Sequence, residues 1–222
     1  MKQGYTHIQV LLDRSGSMQS ILNDTIGGFK NFLTEQQKAE GTATIGLDQF
    51  DTYFEEVYSC LNIQEVHDLV LAPRGGTALY DAIGLSIIKT GSLLGELPED
   101  ERPSLVLFLI ITDGEENSSR EYTQEMVAGL IKRQTDEWKW AFHFLAANQD
   151  AFKTGGGMHV NSSTTMTYAA TSGGTQSAYS GLSSSVVRGR AASMAGMSQE
   201  EINDRMKYTD KEREAASDNP NP

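Results

Sequence analysis

Residues 105–111 constrain the fold of this chain more than any other stretch, because they are seven consecutive apolar residues. The run is far too short to cross a membrane but has the usual length of a strand. A strand with no polar face is covered on both sides, as parallel strands are in α/β proteins. Residues 8–12 and 140–147 are two further, mostly apolar runs, each interrupted by one polar residue, Gln9 or His143. We therefore expect several buried parallel strands.

Amphipathic patterns between these runs predict helices. Leu22, Ile26, Phe29 and Leu33 recur at spacings of four, three and four residues, which marks one face of a helix. Similar patterns predict helices over residues 21–37, 79–94, 122–137 and, with a weaker period, 171–190. Strands that alternate with helices form a parallel sheet covered on both faces. The expected fold class is thus α/β, a doubly wound, Rossmann-like and mostly parallel sheet.

Two segments interrupt this alternation. Residues 44–50 and 53–63 flank a turn at Asp51-Thr52, which predicts a hairpin and so one antiparallel edge strand. Gly155-Gly156-Gly157 is expected to be a loop, and it lacks the Lys and Ser/Thr that follow the glycines of a phosphate-binding loop.

Polar residues follow the first strand directly. Asp13, Ser15 and Ser17 are one carboxylate and two hydroxyls, spaced two residues apart. Open α/β sheets bind ligands at the carboxyl ends of their strands, where this segment lies. Hard oxygen donors of this kind suit Mg²⁺. The segment therefore predicts a metal site.

Two later loops carry matching donors. Thr77 follows Gly75-Gly76 just before a predicted helix, and Asp113 follows the most apolar strand. If the strands before Asp13 and Asp113 are neighbours, the two carboxylates emerge side by side. They then repel each other unless a cation lies between them. The competing interpretation makes the hydroxyls helix caps and Asp113 a turn residue.

The five positions resemble a known motif. Asp13-x-Ser15-x-Ser17, Thr77 and Asp113-Gly114 are similar to the metal-ion-dependent adhesion site (MIDAS) of von Willebrand factor type A (vWA) domains, with no departure from the pattern. The resemblance covers roughly residues 6–190. Residues 75–82 and 144–152 resemble small stand-alone members from bacteria and their phages still more closely.

The resemblance implies how such a site works. The two serines and the threonine would bind Mg²⁺, with Mn²⁺ or Ca²⁺ as alternatives, directly or through water. Asp13 and Asp113 would act through bound waters, and an Asp or Glu of a partner protein would complete the octahedron. The implied function is a metal-dependent protein-binding module rather than an enzyme.

Two other functions compete with this one. One is a metal-dependent phosphatase similar to those of the haloacid-dehalogenase type. Such an enzyme would have the pattern Asp-x-Asp-x-Thr at the first loop, but in this chain Ser15 occupies the position of its acid/base carboxylate. A structural component of a phage or bacterial assembly is compatible with the binding function. The four histidines are scattered, so a zinc site is not expected.

Residues near the five positions have two interpretations each. Glu115, Glu116 and Asp81 could tune the charge of the site, or form a solvated loop and a helix residue bonded to backbone. Arg14 and Arg74 could meet an acidic partner, or be ordinary exposed side chains.

Composition limits the partners and the compartment. The net charge of −12 disfavours a nucleic-acid or anionic-membrane partner. Cys60 is the one cysteine, which excludes an intrachain disulfide, and no apolar stretch approaches the length of a membrane span. We expect a cytoplasmic protein, from a bacterial cell or phage-encoded.

The chain is expected to divide near residue 190. Residues 1–190 would form the vWA domain, and residues 191–222 a polar tail with a short helix and a disordered end. Because the tail holds few large apolar residues, we expect it to be dispensable for the core fold. The alternative is that Ile202, Met206 and Tyr208 dock on the domain or on a neighbour as a short helix.

Overall fold

One six-stranded sheet forms the centre of the computed structural model, which describes residues 1–147 and 149–218. The strand order is β3-β2-β1-β4-β5-β6, and only β3 runs antiparallel to its neighbour. The strands are β1 (Lys2–Asp13), β2 (Thr42–Phe50), β3 (Phe54–Asn62), β4 (Pro103–Thr112), β5 (Ala141–Ala147) and β6 (Thr165–Tyr168). The prediction of a mostly parallel sheet with one antiparallel edge strand is confirmed.

Helices cover both faces of the sheet. They are α1 (Leu22–Lys38), α2 (Leu79–Gly95), α3 (Gln124–Trp138), α4 (Ala151–Gly157), α5 (Ser172–Met194), α6 (Gln199–Arg205) and α7 (Asp210–Ala216). Val10 and Leu12 of β1 belong to the core that contains α1 and α5, whereas Leu11 belongs to the core with α2 and α3. This alternation is the period of two that a strand imposes on its side chains. No described helix has both the length and the apolarity needed to span a bilayer.

The neighbouring positions of β1 and β4 matter most for the site. Leu12 pairs with Ile111 in parallel register, so both strands end at the same edge of the sheet. The strands before Asp13 and Asp113 are thus neighbours, which is the condition for these two residues to lie side by side.

The segment after β5 differs from the expected glycine loop. Gly155, Gly156 and Gly157 lie in α4, which begins where the Asp150 side chain accepts hydrogen bonds from the N–H groups of Phe152 and Lys153, both at 3.1 Å. An N-terminal cap of this kind offsets the low helix propensity of glycine. Strand β6, which follows, was also not expected.

The residues after Met194 contain more helix than the expected polar tail with one short helix. They form two helices, α6 and α7, each started by a capping box of a hydroxyl and a glutamate. Ile202, Met206 and Tyr208 are at most 5% exposed and belong to the core beside α5. The expected disorder of the chain end falls on residues 219–222, outside the described residues.

Candidate metal centre

Four of the five predicted site residues meet at the carboxyl edge of the sheet. Ser15 Oγ lies 3.0 Å from Ser17 Oγ, and Ser17 Oγ donates to Asp113 Oδ1 at 2.7 Å. The fourth, Thr77, lies beside Gly114: a Cβ built on this glycine would be 3.0 Å from Thr77 Oγ1, 3.5 Å from Ser17 Oγ and 3.8 Å from Ser15 Oγ. Three hydroxyls thus surround one small space, which stays open because residue 114 has no side chain.

Asp113 supplies the charge at this space. Its Oδ1 is bound by Ser17, while its Oδ2 is buried and has no hydrogen-bond partner among the described residues. Burial raises the pKa of Asp113, and the hydrogen bond from Ser17 opposes that shift. A buried carboxylate oxygen without a partner is costly, and a cation can offset that cost.

Asp13 is the fifth predicted site residue. Both of its oxygens are occupied: Oδ1 accepts from the Ser15 N–H and Oδ2 from Thr112 Oγ1, each at 2.6 Å. Burial raises the pKa of Asp13 to about 6, the hydrogen bonds from Thr112 and Ser15 oppose this, and the charge of Asp113 adds to it. This side chain fixes the first loop and adds negative charge beneath the hydroxyls.

The donors fit a hard divalent cation. They are all oxygens, from three hydroxyls and two carboxylates, which is the chemistry that Mg²⁺ and Mn²⁺ prefer. Among the described residues, no group of three or more His, Cys, Asp or Glu is placed to hold a metal. The cluster is therefore unlike a zinc site built from His and Cys.

Asp51 supports two of the site loops, a role that no pattern in the sequence indicates. Its buried Oδ2 accepts from Arg14 Nε at 2.9 Å and from Arg74 Nε at 2.8 Å. Its backbone carbonyl also accepts from the Ala78 N–H at 2.9 Å, next to Thr77. Burial acts to raise the pKa of Asp51, but the hydrogen bonds from Arg74, the Tyr53 N–H and Arg14 outweigh it and hold this pKa below its usual value.

The residues that follow Asp113 fasten the third loop to α2. Asn117 exchanges two hydrogen bonds with Thr77, from Thr77 N to Asn117 Oδ1 at 2.9 Å and from Asn117 N to Thr77 O at 3.0 Å. Glu116 accepts from the Tyr80 N–H at 3.0 Å, so it is a structural residue rather than part of a solvated loop. Glu115 is exposed.

Asp81 and the two arginines have definite roles as well. Asp81 accepts from three consecutive N–H groups, those of Arg120, Glu121 and Tyr122. This matches the interpretation of a helix residue bonded to backbone. Arg14 is buried and cannot meet a partner, whereas the Arg74 side chain is 59% exposed.

Comparison with known proteins places the fold. No family model and no curated protein matches the sequence, but solved structures do match. The von Willebrand factor type A protein from Catenulispora acidiphila has a TM-score of 0.50 and 13% identity, over 91% of this chain and 43% of that one. The fold of this chain is thus that of vWA domains.

Two further matches are metal-loaded proteins. Proximal thread matrix protein 1 (PTMP1) from the mussel byssus, with a zinc-occupied MIDAS motif, has a TM-score of 0.57 and 14% identity, over 86% of this chain and 46% of that one. Manganese-loaded TRAP protein from Plasmodium vivax has a TM-score of 0.55 and 12% identity, over 76% of this chain and 70% of that one. The chain therefore spans about half the length of PTMP1. At these identities the likeness extends to the fold alone.

Proposed function

We propose that this chain is a metal-dependent protein-binding module whose cation is held by Asp13, Ser15, Ser17, Thr77 and Asp113. The observation that carries the proposal is the buried, unpartnered Oδ2 of Asp113 beside three converging hydroxyls. Oxygen donors alone favour Mg²⁺ over softer metals. The metal-loaded MIDAS of PTMP1 supports a divalent cation in general.

The five residues would have different roles in binding the cation. The hydroxyls of Ser15, Ser17 and Thr77 would hold the cation, and Ser17 also fixes Asp113 in place. Asp13 would balance the charge from behind, since its own oxygens are taken by Ser15 and Thr112. When bound, the cation supplies a positive charge and a coordination position that an Asp or Glu of a partner protein can take.

Binding is favoured over hydrolysis. A phosphatase of the competing class needs a second carboxylate as general acid and base, and Ser15 occupies that place in the first loop. A role in a phage or bacterial assembly would use the same binding chemistry. We place the protein in the cytoplasm because its single cysteine fits a reducing compartment.

The cation site is tested by calorimetry with Mg²⁺ on the wild type, Thr77→Ala and Thr135→Ala. Thr135 is an exposed threonine on α3, so its replacement removes the same atoms away from the three loops. We expect Mg²⁺ binding in the wild type and in Thr135→Ala, and its loss in Thr77→Ala. Equal binding by all three proteins would contradict the assignment.

The partner is tested by affinity capture from a bacterial lysate, with Mg²⁺ or with EDTA. We expect one or more proteins that the wild type captures with Mg²⁺ and loses with EDTA, and that Thr77→Ala fails to capture. A partner recovered equally under all of these conditions would show that binding occurs elsewhere on the surface.

A further inference from the structure

Arg74 is an exposed arginine that is fixed at one end. Its Nε donates to Asp51 Oδ2 at 2.8 Å, and the Asp51 side chain is only 1% exposed. The backbone of Arg74 is fixed as well, because its N–H donates to Arg14 O at 2.8 Å. The guanidinium therefore has a defined position although 59% of the side chain is exposed.

Arg74 shares its acidic partner with Arg14. Asp51 Oδ2 also accepts from Arg14 Nε at 2.9 Å, so two guanidinium groups share one carboxylate. Glu55 forms its ion pair with Arg14, and its charge also acts on Arg74. In the described part of the chain, the Nη1 and Nη2 groups of Arg74 make no hydrogen bond. Paired Nη donors form the fork that binds a carboxylate in a bidentate manner.

The backbone of Arg74 lies close to the loop that carries Thr77. Arg74 precedes Thr77 by three residues, so their Cα atoms are at most about 11 Å apart. The intervening Gly75 is joined to the first loop, with Gly16 N donating to Gly75 O at 3.2 Å. A ligand that reaches the hydroxyl cluster with one group can therefore reach Arg74 with another.

We propose that Arg74 binds a second carboxylate of the partner. The preferred ligand is then an extended acidic segment with two Asp or Glu residues two positions apart. Side chains at that spacing lie on one face of an extended chain, about 7 Å apart, which is less than the upper limit on the separation of the Thr77 and Arg74 Cα atoms. This inference rests on the proposed function and names the chemistry of its partner. It also explains how a chain of net charge −12 can select an acidic ligand.

The experiment uses two capped peptides, one with Glu-Gly-Glu flanked by glycines and one with Glu-Gly-Gln in the same frame. Each is titrated into the ¹⁵N-labelled full chain with Mg²⁺ and followed by NMR, which measures weak binding. In the wild type the doubly acidic peptide should bind roughly three- to tenfold more tightly. Arg74→Gln should remove that preference, and Lys132→Gln, which removes an exposed charge on α3, should keep it.

Two further variants, Arg74→Lys and Thr77→Ala, sharpen the test. Arg74→Lys keeps the charge but loses the fork, so we expect it to retain only part of the preference, and full retention would overturn bidentate binding. Arg74→Gln should stay folded because Asp51 keeps its bonds to Arg14 and the Tyr53 N–H, which thermal denaturation checks. Thr77→Ala should bind neither peptide.

The outcomes separate this inference from the proposed function. If both peptides bind in a Mg²⁺-dependent way but equally, or if Arg74→Gln keeps the preference, the role of Arg74 is wrong and the metal-dependent function stands. If neither peptide binds the wild type with Mg²⁺, carboxylate recognition at the metal is wrong, and the role of Arg74 is wrong with it.

Discussion

Gly114 is the residue that leaves room for a cation among the three hydroxyls. In Gly114→Ala the new methyl group would lie 3.0 Å from Thr77 Oγ1, within the space that a bound ion and its waters need. Mg²⁺ demands near-ideal octahedral geometry, so we expect calorimetry to give at least about a tenfold loss of affinity.

The fold should tolerate this change, since Gly114 is not among the glycines with positive φ. Gly129→Ala on α3 is the matched control, because its Cβ would meet nothing within 4 Å. That control should keep full Mg²⁺ affinity and gain roughly 0.5–1 kcal/mol of stability from helix propensity. Wild-type Mg²⁺ affinity in Gly114→Ala would mean that the ion binds elsewhere.

We expect Asp13 to favour metal binding but to lower the stability of the metal-free fold. Its pKa is raised to about 6 by burial, so holding it ionised at pH 7 costs stability. Asp13→Asn can keep both hydrogen bonds: its oxygen accepts from Ser15 N, its amide donates to Thr112 Oγ1, and the Thr112 proton turns to Gly114 O at 3.1 Å.

In EDTA at pH 7, urea unfolding should therefore show Asp13→Asn to be more stable than the wild type by roughly 1 to 3 kcal/mol. With excess Mg²⁺ the order should reverse or the difference should shrink, because only the wild type gains from binding. If Asp13→Asn is the less stable protein in EDTA, the buried charge is compensated within the fold itself.

Helices and strands were predictable to the extent that their apolar residues are periodic. The strands β1, β4 and β5 and the helices α1, α2 and α3 all carry long apolar runs or stripes. By contrast, α4 contains three consecutive glycines and depends on the Asp150 cap, and β6 has four residues. Such elements exist because of tertiary packing, which local patterns do not contain.

Two strands each bury a histidine, which makes stability depend on acid. Burial lowers the pKa of His7 on β1 to about 4 and that of His143 on β5 to about 3. Both stay neutral in the fold while the unfolded chain takes up protons below about pH 6.5. Each histidine should thus lower the free energy of unfolding as the pH drops from 6.5 towards 4, by up to about 1.4 kcal/mol per pH unit, whereas Asp13, whose pKa in the fold is about 6, acts in the opposite direction below that pH.

Urea unfolding at pH 7, 6 and 5 measures this slope. His143→Gln should reduce the stability lost on acidification by about 1.4 kcal/mol per pH unit, which corresponds to one proton. Equal slopes in the wild type and in His143→Gln would mean that His143 is protonated in the folded state.

For the molecule as a whole, the sequence was informative where distant residues follow a rule of topology. Asp13 and Asp113 are far apart in the chain, yet the rule that parallel strands end at one edge brings them together. The support that Asp51 gives to two loops could not be predicted, because no spacing in the sequence relates Asp51 to Arg14 and Arg74. Ile202, Met206 and Tyr208 were recognisable in the sequence as residues that could dock on the domain, but three apolar side chains among many polar ones do not indicate where they pack or how much they stabilise.

The C-terminal helices are expected to be part of the folded domain rather than an appendage. Tyr208 Oη lies 2.9 Å from Nδ1 of the buried His143, and Met206 packs against Gly189, where a Cβ would meet its sulfur at 2.5 Å. Arg188 and Glu212 form an ion pair at 2.9 Å between α5 and α7. Removal of these residues would therefore expose apolar surface and leave His143 without its partner.

A chain of residues 1–197 should accordingly lose roughly 4.5 to 9 kcal/mol, because burial of each of the three large side chains, Ile202, Met206 and Tyr208, contributes about 1.5 to 3 kcal/mol. Urea unfolding measures the loss, and a chain of residues 1–218 is the control that keeps α6 and α7. Tyr208→Phe removes only the hydroxyl and should cost about 1 kcal/mol. If residues 1–197 unfold at the same urea concentration as the full chain, the domain ends near residue 190 and the two helices are dispensable.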